Sequence, residues 1–322
     1  MDISNDLAIG IDIGGTNTKY GIVNHRGEIL QKGEIRTDDY PQVDSFIESL
    51  FNVLDPVIEL FDRKNFQGIG IGAPNGNYYS GTIEYAPNLK WKGIIPLAKL
   101  IADKFDLPAA LTNDANAAAV GEMTYGAARG MKDFIMITLG TGVGSGIIAN
   151  GQLILGHDGF AGELGHTIIV PGGRLHEGTG MHGSLEVYAS ATGVAKTAIE
   201  LLDKDPQQPS LLRNFPKEKL DSKIVYDCAI KEDKIAKDVY AFTGKILGEA
   251  LANFVMFSSP EAIILFGGLT KAGDLVMIPT KNNMEKNLLP IFQNKVKLIF
   301  SELEESDAAI LGASALVWEM KG

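Results

Sequence analysis

Residues 7–20, LAIGIDIGGTNTKY, constrain this chain more than any other stretch. Leu7, Ile9, Ile11 and Ile13 alternate with small residues and Asp12, the period of two of a half-buried strand. The run breaks at Gly14-Gly15 and resumes as a second strand through Tyr20, Ile22 and Val23. Two glycines at that point permit a turn with positive φ and bring backbone N–H groups close to a ligand. Thr16, Asn17 and Thr18 add short polar donors and Lys19 adds a cation, a combination suited to phosphate. Asp12, at the strand end facing the same turn, is placed to hold a hydrated Mg²⁺. The alternative for these residues alone is a plain hairpin with a glycine turn and a solvated lysine.

A chain of 322 residues can bury a large core, and its length fits two domains. With 45% hydrophobic and 21% charged residues, it has the composition of a soluble globular enzyme. The balance of 29 basic and 40 acidic side chains gives −11, which argues against nucleic acid or an anionic membrane as partner. No apolar run approaches the roughly 18 residues of a membrane helix. The start, MDISND, is too acidic and polar for a signal peptide. The single cysteine, Cys228, excludes an internal disulfide framework and reads as a buried small residue in a helix. It fits a reducing compartment, and the cytoplasm is the expectation.

The hairpin continues through a turn at Asn24-His25-Arg26-Gly27 into a third strand over 28–35. Apolar positions from Val43 to Phe61 recur at three and four, a long amphipathic helix that Pro56 is expected to kink. A strand over 67–73 closes at Pro74-Asn75-Gly76-Asn77, and an irregular stretch over 78–93 carries Asn88 and Trp91. A helix over 95–105 and a strand over 109–112 lead into Asn113-Asp114-Ala115-Asn116 and a small-residue helix over 117–122. Next comes a strand over 134–139, the glycine run 140–146, a strand over 147–149, an Asn150-Gly151 hairpin turn and a strand over 152–155. IVNHRGEIL in the first half parallels IIANGQLIL in the second, a weak duplication that predicts two related domains facing one cleft. The stretch 156–183 is rich in Gly and His; helices are expected over 185–202, 222–230 and 233–257. A strand over 262–266 ends in Gly267-Gly268 and is followed by a helix. A strand over 296–300 and a closing helix over 307–320 complete the pattern. The smaller α/β domain is expected over 1–120, completed by 307–322, and the larger over 121–306.

Three glycine turns, each after an apolar strand, point to a nucleotide held between domains. None is a Walker loop, and the run 140–146 is no dinucleotide fingerprint, because a strand follows it in place of a helix. Asp114, between a strand and a helix, is either an N-cap or a base that accepts a proton from a hydroxyl attacking phosphorus. Glu163, His166 and Glu186 suit the several hydroxyls of a sugar, with a set of surface loop residues as the alternative. His166, His176 and His182 could instead ligate a metal.

DIGGTNTK, NDANAAAVGE, LGTGVGSGI and GELGH, in this order and spacing, resemble the ROK family of bacterial sugar kinases. The glucokinases are the closest branch, and the likeness runs from Leu7 to the closing helix. The resemblance implies the actin-like, hexokinase-type (ribonuclease H-like) α/β fold, two domains flanking a cleft that closes on the sugar. It implies ATP-dependent phosphorylation of a hexose 6-hydroxyl and favours a homodimer. By the same resemblance Asp114 corresponds to the catalytic base, and Asn88, Asn113, Glu163, His166 and Glu186 contact sugar hydroxyls. Gly14, Gly15 and Thr16, with Asn17 and Lys19 beside them, form one phosphate loop and Gly140, Thr141 and Gly142 the other. Gly267-Gly268 is the adenosine-side turn, and Asp12 orients the hydrated Mg²⁺.

One departure stands out. Many members carry a C-x-C-G-x-x-G-C zinc cluster before the sugar-site LE, completed by the histidine of GELGH. Here that segment reads HEGTGMHGSLE, with no cysteine, Ser184 at the last ligand position and His176 near the first. A zinc site is therefore not expected, and Glu186 must be held by other means. With the first strand read almost at the start of the sequence and a net charge of −11, a DNA-binding repressor is not expected. A glucose kinase using Mg-ATP is the expectation. The alternatives are a kinase for N-acetylglucosamine, N-acetylmannosamine, mannose or fructose, polyphosphate as donor, and a non-catalytic sugar sensor.

Overall fold

The computed structural model describes residues 6–304 and 306–320; the first five residues and the expected end of the closing segment, 321–322, lie outside them. Strands β1 (Leu7–Ile13), β2 (Asn17–Asn24) and β3 (Ile29–Arg36) form an antiparallel meander. Helix α1 (Val43–Leu60) returns the chain to β4 (Phe66–Gly72), parallel to β1. A small sheet of β5 (Gly76–Asn77), β6 (Thr82–Glu84) and β7 (Ile94–Ile95) follows. Helix α2 (Leu97–Phe105) then leads to β8 (Ala109–Thr112), parallel to β4, and α3 (Asp114–Tyr125) leaves the sheet. Its strand order is β3-β2-β1-β4-β8.

The second half repeats the plan. Strands β9 (Phe134–Leu139), β10 (Val143–Ala149) and β11 (Gln152–Leu153) form the meander. Helices α4 (Glu186–Ala189), α5 (Ala191–Lys204), α6 (Ser222–Ala229) and α7 (Lys234–Ser258) make the long crossover to β12 (Ala262–Phe266), parallel to β9. Helix α8 (Asp274–Asn287) leads to β13 (Lys297–Phe300), and α9 (Ala308–Glu319) closes the chain. The order β11-β10-β9-β12-β13 matches the first sheet strand for strand. The duplication read from two hairpins therefore extends to all five strands.

The local chemistry explains most elements. Phe46, Ile47, Leu50, Leu54 and Ile58 form one buried stripe of α1 and pack on Ile9, Ile11, Ile69 and Ile71 of the first sheet. The helix runs through Pro56 to Leu60 without a break. Asn150 and Gly151 both adopt positive φ, 53° and 75°, the pattern of a type I′ hairpin turn. Cys228 is buried in α6. Trp91 anchors the irregular stretch by stacking 4.7 Å from Phe46 and donating to the Tyr40 carbonyl at 3.0 Å. Among the described residues no helix is long and apolar enough to cross a membrane.

Helix α9 lies on the first sheet at backbone distance. A β-carbon on Gly10 of β1 would stand 2.1 Å from the Ile310 carbonyl oxygen, and one on Gly70 of β4 1.8 Å from that of Ala313. The glycines of these strands are thus the seat of the closing helix. Where α9 crosses α3, a β-carbon on Gly121 would stand 2.8 Å from the Gly312 Cα. Just beyond, the buried Glu122 accepts from the Ala127 N–H at 2.8 Å and from the Ser301 hydroxyl, tying α3 to the segment after β13.

Several boundaries differ from expectation. Helix α2 starts after Pro96, and β10 begins at Val143, not Ile147. The helix expected over 185–202 is two helices, because Ser190 leaves the helical conformation to cap α5, accepting from Gly193 N–H at 3.0 Å.

Candidate active site

The end of β8 delivers two polar residues to the mouth of a cleft. Asn113 accepts the Asn116 N–H at 2.7 Å and is the N-cap of α3. Asp114 is the first residue of the helix; one carboxylate oxygen accepts the Ala115 N–H at 2.9 Å, and the side chain opens to the cleft. Although it meets cleft solvent, protein surrounds it closely enough that dehydration raises its pKa, with backbone N–H donors of Ala115 and Asp114 opposing the shift. A raised carboxylate at a helix start beside a cavity is a stronger base than an ordinary aspartate.

The cavity that Asp114 lines is about 560 Å³ and is shared by Asn88, Asn113, Glu163, Glu186, Gly140, Thr141, Gly142, Gly267 and Gly268. Carboxylate acceptors and the side-chain amides of Asn88 and Asn113 thus face a glycine loop across one space. A second cavity of about 510 Å³ shares Gly140, Thr141 and Gly268 with the first and extends between Tyr226, Tyr240 and Leu269.

The glycine run is held by Glu186 and by α5. The Val143 N–H donates to Glu186 Oε2 at 2.7 Å, and a β-carbon on Gly142 would stand 2.3 Å from that oxygen. The Gly140 carbonyl accepts from Ala191 N–H at 2.8 Å, and the Thr141 carbonyl from Thr192 Oγ1 at 3.1 Å. Gly267, at φ 101°, lies against β9 so closely that a β-carbon would stand 2.7 Å from the Leu139 carbonyl oxygen. That contact brings Gly267-Gly268 beside Gly140.

Ser145 and Thr138 are site-building residues that the sequence reading did not single out. Ser145 donates its hydroxyl to the Gly162 carbonyl and accepts the Leu164 N–H at 3.1 Å, fixing the loop that presents Glu163. Thr138 Oγ1 accepts the Gly144 N–H at 3.1 Å. A lone serine inside the glycine run was the available signal. Burial, opposed by His166 and reinforced by the charges of Asp114 and Glu186, raises the Glu163 pKa.

The first glycine turn is built differently from the expectation. Neither Gly14 nor Gly15 has positive φ. Gly15 is needed for close approach: a β-carbon there would stand 2.6 Å from the Asn88 carbonyl oxygen. The Gly14 N–H donates to the Asn17 carbonyl at 3.0 Å, and the Thr16 carbonyl accepts the Thr37 N–H at 2.8 Å, leaving the Thr16 and Asn17 side chains exposed. Lys19 lies opposite Asp12 in the β1–β2 register and lines a separate depression with Lys32 and Ser306.

Asp12 and Asp114 line one small cavity with Thr138 and Phe266. Burial first, and the charge of Asp114 second, raise Asp12 from 3.8 to about 6, with Lys19 opposing. Two carboxylates that repel across a gap are the donor chemistry of a hydrated, hard divalent cation, so these residues fit Mg²⁺.

The residues present do not fit zinc. His182 Nδ1 is bonded to the Gly173 carbonyl at 3.0 Å, and His176 is bonded through both nitrogens, to Thr179 and to Glu186. His166 stands edge-on to His176, 5.8 Å between ring centres, and 3.9 Å from Glu163. Among the described residues no group of three or more His, Cys, Asp or Glu side chains is arranged to hold a metal ion.

Comparison with known proteins agrees with this architecture. The profile of the ROK family matches residues 8–320. The chain is 35% identical over 312 residues to a glucokinase of Halalkalibacterium halodurans, covering 96% of this chain and 94% of that protein. It is 31% identical over 315 residues to a glucokinase of Thermotoga maritima, covering 98% of both. A ROK family glucokinase from Streptomyces griseus, solved in complex with glucose and AMPPNP, superimposes with a TM-score of 0.79 at 31% identity, covering 97% of this chain and 99% of that one. These relatives support a sugar kinase. With its matched five-stranded sheets around a shared cleft, the chain has the actin-like, hexokinase-type fold and belongs to the ROK family.

Proposed function

We propose that this chain is a hexose kinase that transfers the γ-phosphoryl group of ATP to the 6-hydroxyl of glucose, with Asp114 as general base. One observation carries the reading: Asn113 caps α3, so the Asp114 carboxylate is turned to a cavity walled by a glycine loop on one side and Glu163 and Glu186 on the other. Asp114 takes the hydroxyl proton as the oxygen meets phosphorus. Asn88, Asn113, Glu163, His166 and Glu186 pair with the sugar hydroxyls. Gly14, Gly15, Thr16, Asn17 and Lys19 on one side, and Gly140, Thr141 and Gly142 on the other, are assigned to the phosphates, and Gly267-Gly268 to the adenosine end. Preorganised N–H donors aimed at phosphoryl oxygens are the dominant catalytic contribution in such reactions. Mg²⁺, oriented by Asp12, supplies charge neutralisation on those oxygens when bound.

The division into a lobe of 1–120 with 307–322 and a lobe of 121–306 is part of the proposal, its described residues being 6–304 and 306–320, and closure of the lobes would keep water from competing with the sugar. The enzyme is assigned to the cytoplasm as a homodimer, in line with its single buried cysteine and its family.

A coupled ADP-release assay across a sugar panel tests this. Glucose is expected to be the preferred acceptor. A tenfold preference for N-acetylglucosamine, N-acetylmannosamine, mannose or fructose would reassign the substrate. Sugar binding without any consumption of ATP would make the chain a sensor.

A further inference from the structure

His176 Nε2 lies 2.6 Å from Glu186 Oε1, while the other carboxylate oxygen accepts the Val143 N–H at 2.7 Å. The opposite ring nitrogen, Nδ1, receives the Thr179 N–H at 3.1 Å and lies 2.8 Å from the Thr179 hydroxyl. A backbone N–H can only donate, so Nδ1 is the acceptor and the ring proton sits on Nε2, aimed at Glu186. The Thr179 hydroxyl also accepts the Met181 N–H at 3.3 Å. Gly178 lies against the ring, 3.2 Å from Cε1 to a β-carbon placed there.

The loop itself is anchored from the other side. Arg174 forks onto Glu200 at 2.7 and 2.5 Å, donates to Thr197 Oγ1 at 2.9 Å and stacks 4.5 Å over the Tyr188 ring. Arg174 therefore fixes the loop to α4 and α5, and His176 projects from it onto Glu186.

We propose that His176 is the positioning residue for Glu186, holding the carboxylate by a hydrogen-bonded imidazole where many family members use a cysteine-ligated zinc. The proposal rests on the sugar-kinase reading above and names how its sugar site is kept in shape. Because Glu186 also accepts from Val143, His176 acts on the glycine loop through it.

The test compares the wild-type protein with His176→Ala and His176→Gln, measuring glucose KM, kcat, melting temperature and zinc content. Removing the donor to a carboxylate that binds ground state and transition state alike is expected to raise glucose KM roughly tenfold or more, with kcat within about threefold. The Gln amide reaches Glu186 from a similar position, so His176→Gln is expected to recover most of that loss. Wild-type protein is expected to carry far less than one zinc per chain. An unchanged KM in His176→Ala, no recovery in a folded His176→Gln, or stoichiometric zinc whose removal abolishes activity would each overturn the proposal. ¹⁵N NMR of histidine-labelled protein gives an activity-independent readout: the signal lost in His176→Gln should be that of a ring protonated on Nε2. A neutral ring protonated on Nδ1, with no proton on Nε2, overturns the proposal. If the wild-type protein turns over no hexose, the kinase reading fails separately, while the tautomer still decides the latch.

Discussion

Asn113 accepts the Asn116 N–H at 2.7 Å, and that bond makes the asparagine, not the neighbouring Asp114, the cap of α3. The two residues can then be separated by mutation. Asp114→Asn is expected to leave the melting temperature near wild type and to lower kcat by at least about 10²–10⁴, the usual contribution of a positioned base. Glucose binding, followed by calorimetry, should survive. Asn113→Ala is expected to cost about 1 kcal/mol of stability by denaturant titration, the worth of a lost cap. An active Asp114→Asn enzyme would remove the base from the mechanism.

Asp12 carries a pKa raised from 3.8 to about 6, so the folded protein binds a proton there that the unfolded chain releases earlier. The stability gained from holding that proton is complete below pH 3.8 and is lost as pH rises through about 6. Ionised Asp12 therefore weakens the ligand-free protein at neutral pH, by at most about 3 kcal/mol. Asp12→Asn is expected to raise the melting temperature at pH 7.5 by a few degrees and to leave it nearly unchanged at pH 4, while kinase activity falls. A lower melting temperature at neutral pH would contradict this sign.

Gly142 has room for no side chain beside Glu186, since a β-carbon would stand 2.3 Å from its Oε2. Gly142→Ala must displace the carboxylate or the loop. Glucose KM and ATP KM are both expected to rise, glucose KM by roughly tenfold. Steady-state kinetics with each substrate varied in turn will show this; a change in neither constant would separate the loop from the sugar site.

Glu122 is buried, and burial raises its pKa against the opposing bonds from Ser301 and the Ala127 N–H. Glu122→Ala leaves those donors without a partner and opens a void, and a loss of about 2–4 kcal/mol is expected in chemical denaturation. Glu122→Gln keeps the size and an acceptor oxygen, and should lose less.

Elements with strong periodicity were readable from the residues alone. The stripe of α1 has one buried face, as its period says; β1, read as a half-buried strand, is buried on both faces, because α9 covers the side that carries Gly10. Glycine was read less well. Gly14-Gly15 looked like a turn needing positive φ, whereas Gly15 is there because Asn88, far along the chain, passes over it. The same limit hid Gly10 and Gly70, whose partners lie on a helix at the opposite end of the sequence. Site carboxylates were legible because the order of their motifs is distinctive. Their supports were not: Ser145 meets Gly162, and His176 meets Glu186, through folds of loops that carry no period. Ser190 looked like one more helical position because a cap and an exposed interior serine read alike until the chain around them is seen.

At the crossing of α3 and α9, Gly121 faces Gly312, so closely that a β-carbon on Gly121 would stand 2.8 Å from the Gly312 Cα. Two bare backbones meet at that point, and side chains lock the pair beyond it: Val120 shares an apolar cluster with Leu316, and Trp318 Nε1 donates to the Tyr125 hydroxyl at 2.5 Å. The closing helix is thus clamped to α3 by backbone and side chains alike, and Glu122, one residue along, fastens α3 to the strand end that leads into α9.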